Sequence, residues 1–137
     1  MPVKVLFPGA RYEVCAWLDE GKEESAVERF ILNLYTNNDS DAESITYELE
    51  KTSNHGTSPN IQKFRHLKGE GQGLVEFKAR GGSRVLGFID QARRRIVCTH
   101  GAPKLKKKRF DREIDTAMKV QNAYLIESLE EGTKYAH

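Results

Sequence analysis

Two cysteines, Cys15 and Cys98, are all the chain has. Neither sits in a CxxC pair or in the dense, even framework of a secreted disulfide domain. Both lie among apolar neighbours, where a thiol behaves as a small buried hydrophobe. The four histidines are scattered and give no metal-ligand spacing. No apolar run approaches the roughly 20 residues that span a bilayer, and no charged-then-apolar leader opens the chain. Gly-x-Ser-x-Gly and Ser/His/Asp signatures are absent. The glycine-rich GEGQG at 69–73 lacks the Lys-Ser/Thr and the helix that a phosphate loop needs. These absences predict a cytoplasmic protein with no membrane contact, no metal and no cofactor.

What the sequence does have is charge, unevenly placed. The net charge is only +2 over 137 residues. Residues 63–112 nevertheless hold 15 Lys and Arg against 4 Asp and Glu, while residues 1–62 hold 5 against 11. A basic block between acidic segments attracts polyanions. Its densest part is Lys104, Lys106, Lys107, Lys108 and Arg109, just before a helical pattern. Cations at a helix N-terminus oppose the helix dipole unless an anion is present.

The length predicts one domain, residues 1–137. VKVLF at 3–7 reads as a strand ended by Pro8-Gly9. Val14, Cys15 and Leu18 fall at helical spacing and predict a short helix over 12–20. A second helix, over 23–35, carries Ala26, Val27, Phe30, Ile31 and Leu34 on one face. Ser40 and Glu43 have capping-box spacing and open a third, over 41–51. TSNHGTSPN then reads as a loop. KFRHL suggests a short strand. From there the period is 2: Val75, Phe77 and Ala79 face one way, and Leu74, Glu76, Lys78 and Arg80 the other. Gly81-Gly82 is a hairpin turn. SRVLGFID and RRIVCTH are the returning strands. A last helix, over about 111–131, points Ile114, Ala117, Met118 and Leu125 inward. The expected fold is α+β, with the helices on one sheet face and the other left partly open and positive.

Three stretches, FRHLKGEGQGLVEFKAR, RVLGF and VCTHGAPKLKKKRFDREIDTA, together resemble the phage-derived HigB-like branch of the RelE toxin superfamily. The match spans about residues 64–120. The resemblance implies a RelE-like fold: an N-terminal strand, two or three helices, an antiparallel meander of three or four strands, and a C-terminal helix. It implies the toxin of a toxin–antitoxin pair that cleaves mRNA on the ribosome, the 2′-OH attacking the adjacent phosphate. Its partners would be the ribosome with its message, and a small helix-turn-helix antitoxin. Glu76 is usual in that branch. The aromatic hydroxyl that RelE itself places after the last strand has no counterpart, and the nearest aromatic is Phe110.

Such cleavage needs a base, an acid and a charge donor for the phosphorane. Arg84 suits the donor role, because its guanidinium is permanently charged and matches phosphate oxygens in a fork. Lys78 and Arg80 are one hairpin away and are expected to converge with it. The plainer reading of Arg84 is a sheet-face residue paired with Glu76. His100, ending the last strand, is the candidate base or acid, because imidazole is the side chain that exchanges protons most readily in catalysis. Lys68, Lys104, Lys106, Lys107, Lys108 and Arg109 would hold phosphates without reading sequence. Two other readings stay open. One is a non-catalytic module of the same fold that binds RNA, the ribosome or a protein. The other is a ParE-like toxin directed at DNA gyrase.

Overall fold

The computed structural model describes residues 2–104 and 107–135, with residues 107, 108 and 132–135 described by their helical backbone alone. Its elements in chain order are strands β1 (Val3–Pro8) and β2 (Glu13–Trp17), helices α1 (Ala26–Thr36) and α2 (Asp41–His55), strands β3 (Phe64–His66), β4 (Val75–Lys78), β5 (Arg84–Asp90) and β6 (Arg95–Ala102), and helix α3 (Lys107–Tyr135). The six strands form one mixed sheet in the order β1-β2-β6-β5-β4-β3. β3 to β6 run antiparallel, each beside the next. β2 joins β6 in parallel, with Val14 opposite Ile96 and Ala16 opposite Cys98. The fold is therefore α+β, and the expected meander is one part of a larger mixed sheet.

β2 replaces the helix expected over 12–20. Its side chains are buried on both faces: Val14 and Ala16 lie in the core under α1 and α2, and Cys15 between them is fully buried too. A strand covered on both sides is continuously apolar, which erases the alternation that marks a strand. The free thiols of Cys15 and Cys98 are both buried, as expected. Burial, reinforced by Glu13, pushes the Cys15 thiol up to about 12.

The helices do not share one face. α1 and α2 cover Val75, Phe77, Val85 and Ile96 on one side of the sheet. α3 covers Leu74, Leu86, Phe88 and Val97 on the other, through Ile114, Ala117 and Tyr124. The face expected to stay open thus carries the longest helix. Tyr124 is buried in the place expected for Leu125, which is 51% exposed. The Tyr124 hydroxyl donates to Asp90 on β5. Glycine-rich GEGQG forms a 3₁₀ turn (Gly69–Gly71) against α3, where a Cβ at Gly71 would come within 3.2–3.4 Å of Leu67 and Ile114. Gly71 serves close packing, while Gly69 and Gly73 supply backbone turns at φ +67° and +96°. Among the described residues no helix is long and apolar enough to cross a membrane.

α2 runs to His55, four residues beyond the expected end, and stops at Gly56 with φ +90°. Its N-terminus anchors the Gly81-Gly82 turn. The Asp41 carboxylate accepts from Gly81 N–H at 2.7 Å and from Ser83 N–H at 3.0 Å. A Cβ at Gly81 would lie 2.5 Å from that carboxylate, so the clasp requires glycine. This contact fixes the β4–β5 hairpin and the register that pairs Lys78 with Arg84.

Candidate functional site

On the α3 side of the sheet, period-2 alternation brings Arg65, Glu76, Lys78 and Arg84 together from three neighbouring strands. Glu76 is the centre. Its side chain is fully buried, and its two oxygens take Arg65 Nε at 2.8 Å and Arg84 Nη1 at 3.0 Å. Lys78 Nζ stands at 3.9 Å. A buried carboxylate survives only when paired and hydrogen-bonded. Here one carboxylate is surrounded by three cations, so the cluster keeps a local excess of positive charge. The ring of Phe110, in the first turns of α3, lies 4.9 Å from the Arg84 guanidinium carbon and 6.0 Å from that of Arg65. The Arg84 side chain is only 15% exposed, and among the described residues its buried Nε has no hydrogen-bond partner.

His100 lies on the same face of β6, opposite Leu86, a diagonal step from Arg84, whose own partner is Ala102. Its Nε2 meets the Glu113 carboxylate of α3 at 2.5 Å. Its Nδ1 meets the Thr99 hydroxyl at 2.9 Å. Thr99 is buried, and its hydroxyl also reaches the Leu86 carbonyl at 3.2 Å. The imidazole is therefore held at both nitrogens. Glu113 fixes the orientation of the ring, and with both nitrogens engaged it can take up a proton only when one of these contacts opens.

Of the expected catalytic residues, Lys78, Arg84 and His100 share this face. Arg80 does not join them. It lies exposed beyond the end of β4, and its N–H donates to Ser44 Oγ on α2 at 3.0 Å. The strand has ended and the chain is already turning toward Asp41. Lys68 is exposed at the start of the 3₁₀ turn. Lys104 packs its carbon chain on the hairpin tip, where a Cβ at Gly82 would come within 2.9–3.1 Å of it. Arg109 is exposed in the first turn of α3. Lys107 and Lys108 begin that helix by their backbone, and Lys106 lies outside the described residues.

Arg65, Thr99, Phe110 and Glu113 are the site residues that sequence reasoning did not assign. Arg65 had a signal: it alternates with Phe64 in a short strand beside β4. Glu113 and Phe110 had none, because only the packing of α3 brings them to His100 and Arg84. Among the described residues no three His, Cys, Asp or Glu side chains gather as they would around a metal ion. No protein-family model, curated protein or solved structure matches the chain.

Proposed function

We propose that the chain is the toxin of a toxin–antitoxin pair and cleaves mRNA on the ribosome. The observation that carries this reading is the cationic cluster around Glu76 set one diagonal step from the Glu113-held His100. In this scheme the His100 imidazole, its Nδ1 released from Thr99, takes the proton of an RNA 2′-OH. The freed oxygen attacks the adjacent phosphorus, the bond to the 5′-oxygen breaks, and that oxygen takes a proton from water, leaving a cyclic phosphate and a 5′-hydroxyl. Arg65 and Arg84 neutralise the phosphorane, where preorganised charge is worth most. Lys68, Lys104 and Arg109 hold the flanking backbone. The element order also suits a RelE-like fold: strands, two helices, an antiparallel meander and a terminal helix. The antitoxin in this reading is a small helix-turn-helix protein, and the setting is the cytoplasm.

One observation favours the non-catalytic alternative. Arg84 is committed to Glu76 and covered by Phe110, so less of its charge is free for a phosphorane. The two readings separate by primer extension on a message carried by programmed ribosomes, beside a ribosome-binding titration. On the enzyme reading, His100→Gln lowers the cleavage rate by about a hundredfold or more while binding holds, because losing a positioned acid or base costs ~10²–10⁴ in rate. Wild-type protein that binds ribosomes and leaves the message whole would establish the binding module instead.

A further inference from the structure

A cleft of about 740 Å³ opens at the β3 edge of the sheet, next to the Glu76 cluster. Phe64, Leu67, Phe110 and Ile114 line it, together with Ile61 from the preceding loop. Ile61 is 73% exposed, so a large aliphatic side chain stands in water at an apolar cleft. The polar groups around it are not mixed at random. Arg65 and Lys68 bring positive charge, and Asp111 is the sole carboxylate among the lining residues. Among the described residues Arg65 hydrogen-bonds only Glu76, through Nε, which leaves its Nη groups for another acceptor.

We infer that this cleft takes one unstacked base of a single-stranded RNA, with the adjoining phosphate on Arg65 and Lys68; the inference rests on the nucleic-acid reading above. Three features fit a nucleotide. An aromatic ring beside a guanidinium plane, as Phe110 and Arg65 are, forms the stacking platform on which proteins hold splayed bases. The cleft lies within the ~300–1,000 Å³ of small-ligand sites, room for a base with its sugar. Its charges are also divided: two cations suit a phosphate, while the Asp111 carboxylate can only accept, and a base edge offers N–H donors. A uniformly acidic peptide would set like charge against Asp111. Because Arg65 belongs to both the cleft and the Glu76 cluster, a base seated here places its own phosphate beside Arg84.

The test uses the full chain and two labelled probes of equal charge. One is a five-nucleotide RNA with 2′-O-methyl riboses, which lack the attacking hydroxyl. The other is the same ribose–phosphate chain without bases. Fluorescence anisotropy is expected to show the complete RNA binding at least about fivefold tighter, the lower end of one stacked base. Ile61→Glu, at an exposed position that leaves the fold intact by circular dichroism, should erase that preference. Lys68→Ala should weaken both probes alike. Equal binding of the two probes, or a preference that survives Ile61→Glu, overturns the base site while the nucleic-acid reading stands. No binding of either probe overturns both. Displacement of the RNA by a Glu/Leu pentapeptide at equal concentration assigns the cleft to a peptide and overturns the proposal.

Discussion

Glu76 takes Arg65 and Arg84 on its two oxygens with none of its own side chain exposed. Its neighbours were legible in sequence, because alternation across a Gly-Gly turn puts positions 76, 78 and 84 on one side. The pairing of Arg84 with Glu76 is the plainer of the two roles read for it, and the contact leaves a catalytic role to be tested. The Glu113–His100 contact was not legible, since no periodicity links a strand end to a helix face that docks later. Asp41 is the residue whose effect is most readily measured. Burial alone would raise its carboxyl, but the hydrogen bonds from Ser83 and Gly81 outweigh that and hold it below the usual range. A carboxyl depressed in the folded state stabilises the protein above its unfolded value, near pH 4, and the gain fades as pH falls through the folded value. Asp41→Ala is therefore expected to cost about 2–3 kcal/mol at neutral pH, the worth of charge-assisted hydrogen bonds. Urea denaturation from pH 7 down to pH 2 should show the gap between variant and wild type closing in acid. A gap constant across that range would mean that Asp41 acts by packing alone.

Helix starts show how an element-level signal can be right in kind and misplaced. Ser40 and Glu43 have the spacing of a capping box, but Ser40 sits in the αR region and makes no side-chain cap. The Asp39 carboxylate does that work, accepting from Asp41 N–H at 2.9 Å. The formed box is at α1. Ser25 Oγ accepts from Glu28 N–H at 3.0 Å, and Glu28 Oε1 accepts from Ser25 N–H at 2.9 Å. Spacing alone cannot tell these sites apart, because capping depends on the extended backbone that Ser25 has and Ser40 lacks. Ser25→Ala is accordingly expected to destabilise by about 1 kcal/mol, and Ser40→Ala by no more than a few tenths. Paired denaturation curves measure both, and equal losses would contradict the assignment. The same limit of local pattern explains β2. Its identity is set by β1 and β6 on either side, and its parallel partner is about 80 residues away along the chain.

Over the whole molecule, the basic block divides in two. Arg93, Arg94 and Arg95 sit at the β5–β6 turn, at the far end of those strands from Arg84 and Ala102. All three are engaged there, Arg93 with Asp90 at 2.9 Å, Arg95 with Glu13 at 3.0 Å and Arg94 with the Ala10 carbonyl at 3.4 Å. The sequence sum of 15 basic residues counts both ends as one. Among the described side chains, those that can meet one polyanion gather around the cleft, the Glu76 cluster and the hairpin tip: Arg65, Lys68, Lys78, Arg84, Lys104 and Arg109. Position in the fold, and not the sum, should set the salt dependence of RNA binding. Each cation that neutralises a phosphate adds about 0.7 to the log–log salt slope for a single strand. Lys68→Ala with Lys104→Ala should flatten that slope by about 1.4. Arg94→Gln removes a charge from the same sequence block and should leave the slope unchanged, because it lies at the other end of the sheet. Anisotropy titrations of the five-nucleotide RNA at several salt concentrations supply the slopes. An equal loss per charge at both ends would mean that RNA responds to the block as a whole, and would remove the reason to place its path across the Glu76 face.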